Sequence, residues 1–134
     1  MLQSILFGLT TGGILYIIAI GLSLTFGAMG IVNFAHGLVY TIGAYILYTA
    51  LTSLGLNFFL GALLAVLISI PISYVIEKFV IRKLYGQSID YAIIATYAVL
   101  LIGVDAIKWI YGPNPLPISD PVGASISFMS LEMP

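Results

Sequence analysis

The chain has 134 residues, 61% of them hydrophobic and 7% charged, with a formal net charge of −1, whereas soluble domains carry about 25% charged residues. So few charges leave no polybasic face for nucleic acid or anionic lipid. The absence of Cys removes disulfides, thiolate zinc sites and cysteine nucleophiles.

From Met1 to Ile76 there is no Asp, Glu, Lys or Arg, and His36 is the sole titratable side chain there apart from tyrosines. A bilayer core about 30 Å thick takes roughly 20 apolar residues per helical crossing, so this run accommodates about three spans. The sequence therefore predicts an all-α integral membrane fold with about four transmembrane helices and a helix break near residues 27–33. Met1-Leu2-Gln3-Ser4 lacks a basic n-region, and the apolar run behind it is too long for a signal h-region, which predicts a retained span.

Span one is expected over about 4–26, ended by Gly27-Ala28-Met29-Gly30, where two glycines three apart break a helix at little cost. Span two, about 33–51, is expected to open on Asn33, an N-cap residue whose side chain accepts from an orphan N–H of the first turn. After the link Thr52-Ser53-Leu54-Gly55-Leu56-Asn57, span three covers about 58–76. Pro71 lies inside it and predicts a kink, with Ser69 and Ser73 placed to bond the freed carbonyls. A loop over 77–90 leads to span four at about 91–111. The transmembrane region is thus 1–111, and 112–134 is predicted as a Pro-rich loop, since Gly112-Pro113-Asn114-Pro115-Leu116-Pro117 cannot propagate a helix.

Lys78, Arg82 and Lys83 all fall in the loop between spans three and four, which makes that loop cytoplasmic. Counting crossings from there puts the amino terminus and the 112–134 tail outside, provided span two is a full crossing and not re-entrant. Gly8 and Gly12, Gly13 and Gly21, and the trio Gly37, Thr41 and Ala44 recur at helical spacing, which in lipid favours close backbone approach in a compact bundle. Asp105 and Lys108, three apart near the outer end of span four, share a face and are placed to pair as an anchor beside Trp109 and Tyr111.

Asn33, His36 and Gly37 form the sharpest local signal. As structure, Asn33 caps and His36 bonds a neighbouring carbonyl. As function, polar side chains and a helix N-terminus at membrane depth mark a substrate path. The block Gly21-Leu22-Ser23-Leu24-Thr25-Phe26-Gly27-Ala28-Met29-Gly30-Ile31-Val32-Asn33-Phe34-Ala35-His36-Gly37, followed by Gly43-Ala44-Tyr45, resembles the permease subunits of branched-chain amino acid ABC importers. The resemblance continues in Glu77-Lys78, Arg82-Lys83-Leu84-Tyr85-Gly86, Ile93-Ile94-Ala95-Thr96 and Tyr111-Gly112.

That resemblance implies a multi-pass subunit of the inner membrane. Its implied partners are a second permease subunit, two ATP-binding subunits and an extracytoplasmic substrate-binding protein. It leaves the substrate open, since relatives take urea, short amides or other amino acids. Those permeases are much longer and couple to the ATPase through a later region, so the chain is expected to be an amino-terminal half. It also departs from them at Lys83, where Pro is commoner. No Gly-x-x-x-x-Gly-Lys loop is present, so ATP hydrolysis falls to a partner. The expectation is a transport subunit and not an enzyme, with no catalytic residue, cofactor or metal site. The alternative, a stand-alone four-helix proton-coupled transporter, fits the length but calls for a deep carboxylate, and spans one to three have none.

Overall fold

The computed structural model describes residues 2–117, 126–128 and 131–133. Four helices follow one another: α1 (Leu2–Met29), α2 (Ala35–Thr52), α3 (Phe58–Phe79) and α4 (Ile89–Tyr111), with a 3-10 turn at Ile81–Leu84 between the last two. Ser4–Met29, Phe58–Leu84 and Ile89–Tyr111 are long and apolar enough to cross a membrane. At 18 residues α2 is the short member, about 27 Å against a hydrocarbon core of about 30 Å. Its His36, three tyrosines and three threonines also make it the least apolar of the four helices.

That composition suits the inner position α2 occupies. It runs antiparallel to α3: a Cβ at Gly61 would stand 3.0 Å from Leu47 Cδ1 and 3.3 Å from the Ala50 Cβ, and one at Gly43 would lie 3.6 Å from Ser69 Oγ. It runs parallel to α4, with Phe34 edge-on to Tyr97 at 6.0 Å, Leu38 seated over Gly103 and Tyr45 against Tyr111 at 4.7 Å. Small residues thus set the close approaches, as expected where apolar packing alone drives little association in lipid. The glycines that do so are Gly61, Gly103 and Gly21, however, because Gly8, Gly12, Gly13 and Gly37 have nothing within 4 Å of a Cβ position. Most of α1 stands apart, and its Phe7, Leu9 and Ile17 are exposed, as side chains facing lipid would be.

Inside the helices, the hydroxyls turn back on their own backbone. Thr10, Thr41, Thr49 and Thr52 each donate to the carbonyl four residues earlier at 2.8–3.0 Å. A hydroxyl satisfied in this way can face lipid without an unpaired polar group. Ser73 behaves alike, donating to Ser69 O at 2.7 Å. The carbonyl that Pro71 deprives of its donor is Leu67 O, four residues before it, so Ser73 does not make the compensation expected of it. The helix nonetheless continues through Pro71.

Several features differ from expectation. Helix α1 continues through Gly27 to Met29, because a single glycine in left-handed conformation is enough to stop it: Gly30 has φ 64° and its N–H closes onto Phe26 O at 2.7 Å. Helix α3 runs on to Phe79, so Glu77 and Lys78 are helical and not in the loop. A basic side chain in the last turn complements the helix C-terminus, and Lys78 Nζ lies 5.8 Å from the Tyr74 ring. Finally, within the tail expected as pure loop, Ile126–Phe128 (β1) and Leu131–Met133 (β2) pair antiparallel, with Ser127 opposite Glu132.

The link to α3 also holds a cap that sequence reading passed over. Asn57 is the N-cap of α3, its side chain accepting from Leu60 N at 2.9 Å.

Candidate functional site

The break between α1 and α2 is built by Gly30 and closed by a residue far away in sequence. After Gly30 the chain runs without helical structure through Ile31, Val32 and Asn33. Ile31 is buried and packs with Ile81 of the 3-10 turn and Ala92 of α4, bordered by Met29, Ile76 and Leu84. The break therefore sits at the end of the bundle that also holds the basic residues. Thr96, fully buried on α4, completes the closure. Its hydroxyl donates to Ala92 O at 2.7 Å, accepts the Phe34 N–H at 3.2 Å and stands 3.2 Å from Val32 O.

Asn33 does not cap α2. The helix starts one residue later, with Phe34 in the N-cap position in helical conformation and no side-chain cap. The reason is a tight first turn: His36 N–H donates to Asn33 O and Gly37 N–H to Phe34 O, both at 3.2 Å. Backbone carbonyls have taken the donors that the side chain was expected to take. Asn33 is only 8% exposed, and its Oδ1 is buried with no hydrogen-bond partner. Nor does His36 bond a carbonyl through its ring among the described residues. The ring lies against α1 instead, where a Cβ at Gly21 would be 2.5 Å from Nε2.

Asn33 and His36 share a cleft of about 220 Å³ with Thr25 of α1 and Ser73 and Glu77 of α3. Its apolar wall includes Met29, Val39, Ile76 and Ile81. Gly37 is not part of that lining and Gly27 is helical, so the structure brings together Asn33 and His36 but neither glycine with them. At the cleft's edge Arg82 grips Glu77 bidentately, Nε to Oε1 at 3.2 Å and Nη2 to Oε2 at 3.1 Å. Of the three basic residues expected in the loop, Lys78, in the last turn of α3, lies over the Tyr74 and Phe79 rings, Arg82 makes the ion pair, and Lys83 sits in the 3-10 turn.

Asp105 and Lys108 do pair, at 3.6 Å, but with side chains 79% and 57% exposed on α4, away from the cleft. The opposite end of the bundle is tied by Thr49 Oγ1 and Tyr111 OH at 2.7 Å, beside a second cleft of about 180 Å³ lined by Ala44, Tyr45, Tyr48 and Leu116. No group of three metal-ligating side chains occurs among the described residues.

Sequence reading missed Thr96 and Glu77 as parts of the site. Glu77 carried a signal in being the first acidic residue after the uncharged stretch. Nothing local to Thr96 marks it as a clamp, because the groups of the break that it meets, Phe34 N–H and Val32 O, lie more than sixty positions earlier.

An apolar helical bundle with three helices long enough to cross a membrane, a glycine-made break and a small polar cleft beside it has the architecture of a multi-span membrane protein. The chain belongs to the family described as branched-chain amino acid transport system, permease component, whose family model matches residues 4–130. It is 40% identical over 93 residues to the high-affinity branched-chain amino acid transport system permease protein BraD of Pseudomonas aeruginosa, covering 63% of this chain and 30% of the relative. It is 42% identical over 53 residues to the corresponding protein LivH of Escherichia coli K12, covering 40% of this chain and 17% of the relative. LivH of Salmonella typhimurium matches to the same extent. The chain thus spans less than a third of the length of these curated relatives. No solved structure matches.

Proposed function

We propose that the chain is part of the permease subunit of an ATP-driven importer in the cytoplasmic membrane and contributes to the translocation path for branched-chain amino acids or closely related amino acids and amides. The observation that carries this is the polar cleft holding Asn33, His36 and Glu77 at the break between two apolar helices. Asn33 and His36 stand in a 76-residue run without a single charged side chain, and polar residues placed at a cavity within such a run mark a solute path. The names of the relatives support the substrate class.

In this reading the subunit works with a second permease, two ATP-binding subunits and an extracytoplasmic binding protein. Lys78, Arg82 and Lys83 lie on the cytoplasmic side, and residues 112–134 and the amino terminus lie outside. Packing of Ile31 against Ile81 favours that count, since it keeps the α1–α2 break at the basic end and leaves α2 to traverse the bundle.

The reading is tested by uptake of radiolabelled leucine in cells carrying the complete transporter. Deleting the segment 1–111 should abolish ATP-dependent accumulation. Uptake that persists overturns the reading, and parallel assays with urea and acetamide set the substrate range.

A further inference from the structure

Two groups that ordinarily find each other stand unpaired at the break. The Asn33 Oδ1 atom is buried without a hydrogen-bond partner, and the N–H of Ala35, a residue 1% exposed, makes no hydrogen bond among the described residues. An Asn side chain commonly accepts from an N–H two or three residues on, in an Asx turn or as a helix cap. Here the N-cap place belongs to Phe34, at φ −68° and ψ −21°. Phe34 has no side-chain acceptor, and its conformation is helical where N-caps are typically extended. Buried polar groups left unsatisfied are few in folded proteins, so a pair of them two residues apart calls for a physical reason.

What holds this arrangement lies on another helix. Thr96 Oγ1 accepts from Phe34 N–H at 3.2 Å, while its own proton goes to Ala92 O at 2.7 Å. The Asn33 carbonyl meanwhile accepts from His36 N–H. The backbone of Asn33 therefore serves the turn and its side chain does not.

We propose that the break is a two-state hinge, latched by Thr96 in the state seen here and by Asn33 in the other. In the second state Asn33 turns extended and becomes the N-cap of α2. Its Oδ1 accepts from the N–H of Ala35 or His36, its carbonyl takes the Gly37 N–H, and Phe34 N–H leaves Thr96. The Thr96 hydroxyl loses nothing that it needs, because its proton stays on Ala92 O. Bonds surrendered at Phe34 and in the tight turn are replaced by bonds at Asn33, which is the balance that lets two states coexist.

The parts around Asn33 suit such a motion. Gly30, at φ 64°, is a pivot with the backbone freedom that a hinge draws on. Ile31 is anchored against Ile81 and Ala92, which confines the change to Val32 and the first turn of α2. That turn carries His36, whose Nε2 lies 2.5 Å from where a Cβ of Gly21 would stand, so rewinding it alters how α2 meets α1. A helix break with two settings beside a polar cleft gives a permease a means of opening and closing one end of its path. The hinge goes beyond the permease reading, since it holds whichever solute is carried.

The two states are read by fluorine NMR of the complete transporter in nanodiscs, with 4-trifluoromethylphenylalanine in place of Tyr97. The Tyr97 ring meets Phe34 edge-on at 6.0 Å, so a label there reports where Phe34 lies. Two signals are expected, or one averaged signal where exchange is fast. Asn33→Leu, which cannot cap, should lower the population of the Asn33-latched state at least threefold. Thr96→Val, which cannot accept from Phe34, should lower that of the Thr96-latched state at least threefold, so the two variants move the spectrum in opposite directions. Asn33→Ser, which can still cap, should keep both states. If Thr96→Val fails to assemble, the contrast between Asn33→Leu and Asn33→Ser decides alone. A spectrum that Asn33→Leu leaves unchanged, or shifts as Asn33→Ser or Thr96→Val does, overturns the hinge. Leucine uptake by the unaltered transporter is read separately, so a failed hinge with intact uptake leaves the permease reading standing, whereas absent uptake counts against that reading itself.

Discussion

The hydroxyl of Thr96 accepts the backbone N–H of Phe34 at 3.2 Å, joining the first third of α4 to the start of α2 across 62 residues of sequence. Thr96 lies seven residues into α4, which begins at Ile89, or about 10 Å along its axis. A helix N-terminus left inside an apolar bundle has orphan donors, and here one of them is met by a side chain from another helix where a local cap was expected. Thr96→Val should leave that donor unpaired at a cost of about 1–3 kcal/mol, lowering the midpoint of thermal unfolding in detergent, while Thr96→Ser should keep most of the stability. Equal stability of the Val variant and the unaltered chain would show that the contact does not hold the break.

Asn33 gives a prediction of opposite sign to the one its sequence position suggests. A capping Asn replaced by an apolar residue loses about 1 kcal/mol of helix stability. Here Oδ1 is buried without a partner, so Asn33→Leu removes an unsatisfied acceptor and should leave stability unchanged or slightly raised. Leucine uptake by the complete transporter should nevertheless fall severalfold. Destabilisation in step with lost uptake would return Asn33 to a purely structural role.

The extent to which such features were legible follows from their range. The apolar spans, the stop at Gly112 and the i,i+3 pair of Asp105 and Lys108 depend on neighbours in sequence and could be read directly. Gly30 was legible as a breaker, but that Gly27 remains helical depends on which glycine takes positive φ, and only the closed turn onto Phe26 O decides it. Asn33 looked like a cap because its type fits one, yet the tight first turn and Thr96 satisfied the same donors first. The glycines that matter for packing could not be told from the others by spacing, since Gly61 and Gly103 are set apart from Gly8 and Gly12 only by what faces them.

Gly103 illustrates that last point and can be tested. The Leu38 side chain fills the space a Cβ would need there, so Gly103→Ala forces it or the helices to move. Overpacking of this kind costs about 1–3 kcal/mol. Leu38→Ala made in the same chain should restore much of the loss, and a double-mutant cycle on unfolding midpoints should show coupling. Additive effects of the two changes would mean that the residues do not meet.

Orientation is open to direct labelling. With Lys78, Arg82 and Lys83 on the cytoplasmic side, a Cys placed at Gln87 in intact cells should resist a membrane-impermeant maleimide, and one at Asn114 should react. The chain has no Cys of its own, so no background site has to be removed. Reaction at Gln87 without prior permeabilisation would reverse the topology.

Asp105 separates an ATP-driven permease from a proton-coupled carrier. It is the acidic residue furthest along α4, yet its side chain is 79% exposed, sits 3.6 Å from Lys108 Nζ and lines none of the clefts described above. A carboxylate that carries protons in step with a solute has to face the path that the solute takes, and one that is paired on the outer face of a helix does not. Asp105→Asn should therefore leave leucine uptake by the complete transporter within about twofold, a change of less than about 0.5 kcal/mol in the barrier, and leave its response to a proton gradient unaltered. Uptake that follows the proton gradient and disappears in Asp105→Asn would sink the ATP-driven reading in favour of the carrier.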